Sequence, residues 1–266
     1  MENLKFLFEG MGNHLGLHAM LHGCISGEVL VDHPESPNAA LACINQRRFF
    51  LAGSPGNAAL NDRLRVFFKE VLFPNARERQ AQTFLVYYEH GGWQAVLGDI
   101  LPGAGLIQAE RQYYTCTELR NNWRDMLSPG FELRFIDRAL LEKQELKNID
   151  VLAEEMCSER NSVEDFLENS FGVCVLYEGE IAGMCLSEYN CLDRCEVGII
   201  TMEAYQRGGL ATVMASALIE HALESGITQI GWHCYARNLA SVATALKVGF
   251  VKQADYPVCI VCIPPE

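Results

Sequence analysis

Hydrophobic and polar positions follow a regular order through the second half of the chain and predict strands with short helices between them. One strand is predicted over Glu132–Arg138, where apolar and polar residues alternate. Ser162 has the residue type and spacing of a capping box and predicts the start of a short helix. Strands over Phe171–Tyr177 and Ile181–Tyr189 are separated by a tight turn and predict a hairpin. Cys195–Thr201 predicts a third strand.

A helix, a strand and a second helix are predicted after these strands. From Leu210 onward, apolar or small residues recur every three or four positions, which is the pattern of an amphipathic helix, and Gly226 is placed to end it. Ile227–Cys234 then predicts a strand. Asn238 is placed to cap a further helix, which Gly249 ends, and strands follow to the C-terminus.

The first half has a weaker pattern. Leu60–Phe73 predicts a helix that Pro74 ends, and Thr117–Leu127 predicts another. Gln82–Glu89 and Trp93–Ile100 are expected to be strands. The order of elements predicts an α/β protein, of the α+β kind with a mixed sheet.

Two domains are expected within the 266 residues. Ser128, Pro129 and Gly130 form the best candidate linker, so the predicted domains are residues 1–130 and 131–266. The first is interpreted as a smaller α/β domain. A weak, degenerate duplication of the second domain is one explanation for it that the sequence alone leaves open.

Charge narrows the class of partner. The net charge is −13, which argues against a general nucleic-acid binder and against docking on anionic lipid. The excess is concentrated in residues 131–196, where 16 acidic residues face 6 basic ones. We found no leader-like start and no run of 18 apolar residues, so a cytoplasmic protein is expected. The 11 cysteines are odd in number and scattered, which favours reduced and mostly buried thiols.

Two sets of residues could suggest a metal, and neither predicts one. Cys259 and Cys262 lie in an apolar run typical of a strand, where positions i and i+3 point to opposite faces. His14, His18 and His22 have the spacing of one helix face, but neighbouring glycines weaken that helix and no carboxylate shares the face. No metal is expected.

The candidate chemistry lies in the loop Gln206–Ala211, between a strand and the long amphipathic helix. Gly208 and Gly209 allow backbone N–H groups to approach a ligand closely. The start of a helix adds unpaired donors and partial positive charge, which suits a pyrophosphate. The loop is neither a Walker loop nor GxGxxG. On its own, a glycine pair at this place is equally compatible with helix packing.

Together with its neighbours, this loop resembles the GNAT superfamily of N-acetyltransferases over roughly residues 132–263. Gln206, Gly209 and Ala211 meet the superfamily signature Gln/Arg-x-x-Gly-x-Gly/Ala. The preceding run Glu196–Thr201 matches the strand that holds the pantetheine arm. The later match consists of Asn238, Ser241 and the run Lys247–Phe250.

A narrower resemblance is to a bacterial group that includes zwittermicin A acetyltransferase. It adds Trp232 and Cys234 to the residues above, together with the small residues at 243–245. Members of that group carry an N-terminal half with a Trp-containing helix, and Trp123 is the matching residue here. The resemblance over residues 1–130 is weak.

The resemblance implies acetyl-CoA as co-substrate and direct attack of an amine on the thioester. Its pyrophosphate would lie on backbone N–H groups of residues 207–212, and its pantetheine would pair with exposed backbone where two parallel strands separate. Asn238 and Ser241 would contact the pantetheine or adenine side. The residues implied to bind the co-substrate are Ile200, Thr201, Met202, Arg207, Gly208, Gly209, Leu210, Ala211, Thr212, Asn238 and Ser241.

Catalysis needs a group that takes a proton from the ammonium and one that supplies a proton to the thiolate. Some family members place a base Glu where Glu196 stands, and the alternative is a glutamate that only pairs with a helix residue. In many members the general acid is a Tyr, at the position where this chain has Ala245. The proton donor must then be a Tyr elsewhere, His233 or water. A buried structural histidine is the alternative for His233, and Tyr189 and Tyr205 stay open.

The sequence therefore predicts an N-acetyltransferase acting on a primary amine of a small, cationic acceptor. The acidic segment 131–196 would attract such an amine, although a solvated acidic surface explains it equally well. A non-catalytic acyl-CoA-binding regulator is one competing hypothesis, which the missing Tyr at position 245 slightly favours, and protein N-acetylation, which needs an open groove, is another. Residues 1–130 are expected to shape the acceptor pocket, to form a homodimer contact, or both.

Overall fold

The structure, a computed structural model, describes residues 2–265 and contains two compact units. The first unit runs up to Arg111 and also includes the chain from Tyr256 onward, and the second unit is Gln112–Asp255. The division thus falls 19 residues before the predicted boundary at 130, and the last strand returns to the first unit. Residues 117–130, which include the candidate linker, belong to the second unit.

The first unit is built on a sheet whose strands are neighbours in the order β1 (Glu28–Val31), β2 (Ala39–Ile44), β3 (Arg48–Gly53) and β4 (Thr83–Tyr88), followed by parts of β11 (Val251–Cys262) and β5 (Gly105–Cys116). β1, β2 and β3 pair antiparallel, and β3 pairs parallel with β4. A 3-10 helix (Phe6–Met11) follows α1, and a π-helical turn (Phe68–Leu72) joins α3 to α4. The elements are α1 (Glu2–Lys5), α2 (Leu15–Leu21), β1 (Glu28–Val31), β2 (Ala39–Ile44), β3 (Arg48–Gly53), α3 (Ala58–Phe67), α4 (Phe73–Glu78), β4 (Thr83–Tyr88), α5 (Gly92–Ile100) and β5 (Gly105–Cys116).

Three predictions for the first half are wrong. Pro74 does not end the helix; it lies in the first turn of α4, where its missing N–H costs nothing. Trp93–Ile100 is helical because its buried residues are spaced as one helix face, a pattern that a short apolar run hides. Thr117–Leu127 contains only a 3-10 turn, Trp123–Met126. The strand over Gln82–Glu89 is confirmed as β4.

The second unit contains the elements that the sequence predicted more clearly. Its sheet has the order β5, β10 (Gln229–Tyr235), β9 (Arg194–Thr201), β8 (Glu180–Cys191), β7 (Gly172–Tyr177) and β6 (Glu132–Phe135), with part of β11 beside β5. The elements are β6 (Glu132–Phe135), α6 (Arg138–Leu141), α7 (Ile149–Glu159), α8 (Val163–Asn169), β7 (Gly172–Tyr177), β8 (Glu180–Cys191), β9 (Arg194–Thr201), α9 (Leu210–Glu224), β10 (Gln229–Tyr235), α10 (Leu239–Val248) and β11 (Val251–Cys262).

Local signals set the ends of these helices as expected. The Ser162 side chain accepts from the N–H of Asp165 at the start of α8, and the Asn238 side chain accepts from the N–H of Ser241 at the start of α10. Gly249, at a φ of 118°, ends α10. The hairpin β7–β8 is confirmed as well. The mixed α/β class is therefore confirmed.

The sheet of the second unit is covered on both faces. On one face, α9 packs Met214, Leu218 and Ile219 against the odd-numbered side chains of β9, such as Cys195 and Val197. On the other face, residues of α7 and α8 pack near the even-numbered residue Ile200 of β9 and residues of β8. Alternation along a strand separates these two sets of side chains. The even-numbered face of β9 is the one that carries Glu196.

Cysteines and histidines take ordinary structural positions in the described residues. Nine cysteines in the described part of the chain are free thiols, seven of them buried, as expected of reduced thiols. His14 and His22 flank α2, and His18 lies within it. Within residues 2–265, no group of three or more His, Cys, Asp or Glu is placed to hold a metal ion. In the same part of the chain, no helix combines the length and hydrophobicity needed to cross a membrane.

Candidate active site

Two parallel strands separate at the centre of the second unit. β9 and β10 pair from Arg194 and Gln229 to Glu196 and Gly231, and β9 then continues without this pairing as far as Thr201. The Met202 N–H donates to the carbonyl of Ala182, on the β8 side. Because backbone groups alternate along a strand, the even-numbered residues of β9 bond to β8 and the odd-numbered ones face β10. Past Glu196, the odd-numbered backbone groups therefore face an opening between two strands.

The strand residues implied to bind pantetheine divide between the two sides of β9. Thr201, together with Ile199, directs its N–H toward the opening, and the Thr201 carbonyl accepts from Nε2 of Gln206 at 3.1 Å. Ile200 is paired with Met184 of β8, and Met202 is held by Ala182 as described above. The backbone available to a ligand is therefore that of Ile199 and Thr201. Ile199 was not among the predicted residues.

The loop that follows β9 is exposed and turns sharply into α9. Arg207 has a φ of 65°, and Gly209, which caps α9, has a φ of 82°. A Cβ placed on Gly209 would meet no atom within 4 Å, so the space beside it is open. No side chain of the described residues caps the helix, and the N–H groups of Leu210 and Ala211 have no acceptor within α9. Unpaired N–H donors at the start of a helix are of the kind that bind anions.

The remaining loop residues contribute backbone rather than side chains. Leu210 and Thr212 bury their side chains in the core, and the Thr212 N–H donates to the carbonyl of Gly209. Gly208 is exposed, and a Cβ there would have only ordinary contact with the carbonyl of Tyr205. These positions bring the six predicted loop residues, 207–212, to one turn of chain.

Asn238 and Ser241 lie at the start of α10 and both have structural partners. Oδ1 of Asn238 accepts the Ser241 N–H, and Oγ of Ser241 accepts from Nε1 of the buried Trp232 at 3.0 Å. The Asn238 residue is exposed, which leaves its amide NH2 at the surface. The predicted contact with the co-substrate is compatible with these roles because both side chains have hydrogen-bonding capacity to spare.

Glu196 and His233 form a buried pair at the point where the strands separate. Oε1 of Glu196 lies 3.2 Å from Nε2 of His233, and the two side chains are 9% and 10% exposed. The ring of Tyr113, on β5, stacks on His233 at 4.6 Å between centroids. Burial, followed by the charge of Glu196, raises the pKa of Tyr113. The two predicted catalytic residues are thus in direct contact.

Gly231 makes room for this cluster. A Cβ at Gly231 would lie 3.0 Å from Cγ of Glu196 and 3.3 Å from Cε2 of Tyr113. A second glycine, Gly198, makes room for Glu188 in the same way, because a Cβ there would overlap the Glu188 carboxylate. Glu188 is the cross-strand partner of Glu196. Two carboxylates therefore lie side by side on the even-numbered face of β9.

The alternative tyrosines are engaged elsewhere. Tyr189 is buried and donates to Oε2 of Glu159, and Tyr205 donates to Oε1 of Glu180, a hydrogen bond that raises the pKa of Tyr205 to about 12. Ala245 is fully buried in the core of the second unit. The sequence did not indicate Tyr113, because β5 was not predicted. The aromatic and β-branched run that begins at Tyr113 was the available signal.

Comparisons with known proteins place the chain in a family. The family model of the GNAT acetyltransferases matches residues 5–259, and the chain belongs to this family. The chain is 26% identical over 256 residues to the uncharacterized N-acetyltransferase YdfB of Bacillus subtilis, an alignment that covers 96% of this chain and 94% of that protein. The protein is an acyltransferase of the acetyl-CoA-dependent type that this family comprises.

Solved structures share the fold. A GCN5-related N-acetyltransferase-like protein from Streptococcus suis superposes with a TM-score of 0.71 at 22% identity, over 98% of both chains. A tandem GNAT protein from the clavulanic acid biosynthesis pathway superposes with a TM-score of 0.53 at 12% identity, over 95% of this chain and 88% of that one. The family match includes most of the first unit, where the sequence resemblance was weak.

Proposed function

We propose that the protein transfers the acetyl group of acetyl-CoA to a primary amine of a small, cationic acceptor by direct attack. The observation that carries the proposal is the buried pair of Glu196 and His233 at the end of the pairing between β9 and β10. A base at this point can act on a nucleophile that reaches the opening between the strands. The proposal therefore assigns catalysis to the second unit, Gln112–Asp255.

The co-substrate supplies an activated acetyl group, and the residues of the loop supply the binding. The open space beside Gly209 and the uncapped N–H groups at the start of α9 support binding of the pyrophosphate. The backbone of Ile199 and Thr201 supports pairing with an amide-containing arm, and an N–H in that opening is a suitable donor to the carbonyl oxygen. Asn238 and Ser241 are proposed to border the same arm.

Proton transfer is assigned to the pair of Glu196 and His233. Glu196 accepts a proton from the acceptor ammonium, which frees the amine lone pair for attack on the acetyl carbon. The carbon–sulfur bond then breaks, the attacking nitrogen loses its second proton as it becomes the amide, and the CoA thiolate leaves with that proton, while the proton held by Glu196 returns to solvent. His233 lies within hydrogen-bond distance of Glu196 and is proposed to exchange that proton with it.

A cationic acceptor is supported by the charge of this face. Glu188 lies beside Glu196, and the segment 131–196 holds ten more acidic than basic residues. An ammonium group is attracted to such a field, and the attraction weakens with added salt because the charges are screened. A neutral or anionic acceptor lacks this attraction.

The test is release of CoA thiol from acetyl-CoA over a panel of cationic, neutral and acidic amines. We expect turnover with cationic amines and a loss of about 100-fold in kcat for Glu196→Gln, with unchanged affinity for acetyl-CoA. Glu224→Gln, the same chemical change at the exposed end of α9, is the matched control. Tight acetyl-CoA binding without turnover on any amine, or Glu196→Gln at wild-type rate, would overturn the proposal.

A further inference from the structure

The two units contain the same order of elements. In the second unit, β7, β8 and β9 pair antiparallel in turn, α9 crosses over, and β10 pairs parallel with β9. In the first unit, β1, β2 and β3 pair antiparallel in turn, α3 and α4 cross over, and β4 pairs parallel with β3. A helix and a long strand then follow in both, α10 and β11 in one and α5 and β5 in the other.

The faces of the sheets correspond as well. Phe49 and Leu51 of β3 pack with Leu60 and Leu64 of α3, just as the odd-numbered residues of β9 pack with α9. The opposite face of β3 carries Phe50. In the second unit the opposite face carries the pair of Glu196 and His233. In both units, one face of the strand therefore packs against the crossover helix, and the two opposite faces correspond to each other.

At that opposite face, the first unit has aromatic rings where the second unit has Glu196 and His233. Phe50 stacks on Tyr87 with 5.0 Å between ring centroids, and His14 lies 4.7 Å from Tyr87 and 4.9 Å from Tyr256. This packing fills the layer in which the second unit has Gly231 and its recess. Buried rings therefore occupy the positions at which the second unit has its carboxylate and imidazole.

In the first unit, β3 remains hydrogen-bonded to β4 and to the residues that follow β4 as far as the end of β3. Their register runs to Leu51 and Tyr88, and the Glu89 N–H continues it by donating to the carbonyl of Leu51 at 3.0 Å. The N–H of Gly53 then donates to Oε2 of Glu89, and its carbonyl is 3.2 Å from Nε2 of His90. In the second unit, β9 continues five residues past its last pair with β10. The first unit lacks the corresponding opening.

The start of α3 is capped and negatively charged, whereas the start of α9 is open. Oδ1 of Asn57 accepts the N–H of Leu60 at 3.0 Å, which uses a donor that an anion would need. Nδ2 of the same side chain donates to Oδ2 of Asp32 at 2.6 Å. The Asp32 carboxylate repels a second anion at this position. The two features together oppose a pyrophosphate.

We infer that the first unit is a second copy of the same fold whose co-substrate site is closed, so that each chain binds one acetyl-CoA, in the second unit. The inference rests on the proposed function, because the single site is the loop assigned above. It gives the first unit a structural role and leaves the catalytic role to the second unit.

Isothermal titration of the full chain with acetyl-CoA tests the inference, with native mass spectrometry as a second count of bound molecules. We expect one molecule per chain, and none after Gly209→Glu, which places a negative charge at the open helix start. Gly226→Glu is the matched control, because it lies just beyond the other end of α9 at a φ of 87°, also with no atom within 4 Å of a Cβ. It should still bind one molecule.

Other outcomes separate the two proposals. Two molecules per chain, or one molecule retained by Gly209→Glu, would overturn the closed site. No binding by the wild-type chain would overturn the proposed function instead. If Gly209→Glu fails to fold, Gly208→Glu replaces it, because Gly208 lies outside the left-handed region and has room for a side chain. Loss of binding in that variant, with one molecule bound by the wild type, supports the inference.

Discussion

Replacing Gly231 with alanine changes the geometry of the site without removing any of its chemical groups. The added Cβ would lie 3.0 Å from Cγ of Glu196 and 3.3 Å from Cε2 of Tyr113. Carbon atoms in contact prefer separations of about 3.5–4.0 Å. The Glu196 side chain must therefore move by a few tenths of an ångström, and Tyr113 by a smaller amount. Glu196 would be displaced relative to His233 and to the opening between the strands.

The expected loss follows from this displacement. A misplacement of about 1 Å can cost about 100-fold in rate, so this smaller displacement is expected to lower kcat/KM of Gly231→Ala by about threefold to tenfold. Overpacking of a buried site typically costs about 1–3 kcal/mol in the free energy of unfolding, which a folded domain of this size can tolerate. Affinity for acetyl-CoA should stay within about twofold, because the loop at Gly209 is unchanged.

The assay combines steady-state kinetics with thermal unfolding and acetyl-CoA titration. Gly56→Ala is the control, because Gly56 is exposed and a Cβ there meets no atom within 4 Å. The control should retain wild-type kinetics. A folded Gly231→Ala protein with kcat/KM within twofold of wild type would refute the reasoning, because Glu196 would then not need its present position.

Two further predictions use other groups. Tyr113→Phe keeps the ring that stacks on His233 and should stay within about threefold of the wild-type kcat, whereas Tyr113→Leu should lose about tenfold and change the pH–rate profile. A Phe variant as slow as the Leu variant would show instead that the hydroxyl is required. Separately, a hydrogen bond from the Asn161 N–H holds the pKa of Asp165 below its ordinary value of 3.8. This contribution to stability is complete above that ordinary value and is lost as pH falls through the lowered pKa, so acid unfolding should be less steep in Asp165→Asn. If Asp165→Asn unfolds in acid as steeply as the wild type, the prediction is wrong.

The predictability of each element followed the strength of its local signals. The ends of α8 and α10 were predictable because Ser162 and Asn238 cap them through their own side chains, and α9 because its apolar stripe is long. Trp93–Ile100 was mistaken for a strand because eight or nine apolar-rich residues fit both periods. Only packing of Trp93 and Leu97 into the core of the first unit decided for a helix.

The individual residues of the site could be predicted from the sequence, but the contacts between them could not. Glu196, His233 and the loop at Gly209 are marked by their place in a strand–loop–helix sequence. Glu196 and His233 are 37 residues apart, and their contact depends on the pairing of β9 with β10. The space beside Gly231 depends on the same pairing. Tyr113 reaches the same cluster from β5, which no clear pattern had predicted.

The sequence by itself determined the local elements of the second unit, the open start of α9 and the family resemblance, since caps, glycines and periodicity act over a few residues. The tertiary structure decided which side of β9 offers its backbone, which residues surround Glu196, and which unit is open. Those properties depend on strand register and on side-chain packing between distant segments. Asn57 and Asp32 illustrate the difference, because their 25-residue separation hides the contact that closes the start of α3.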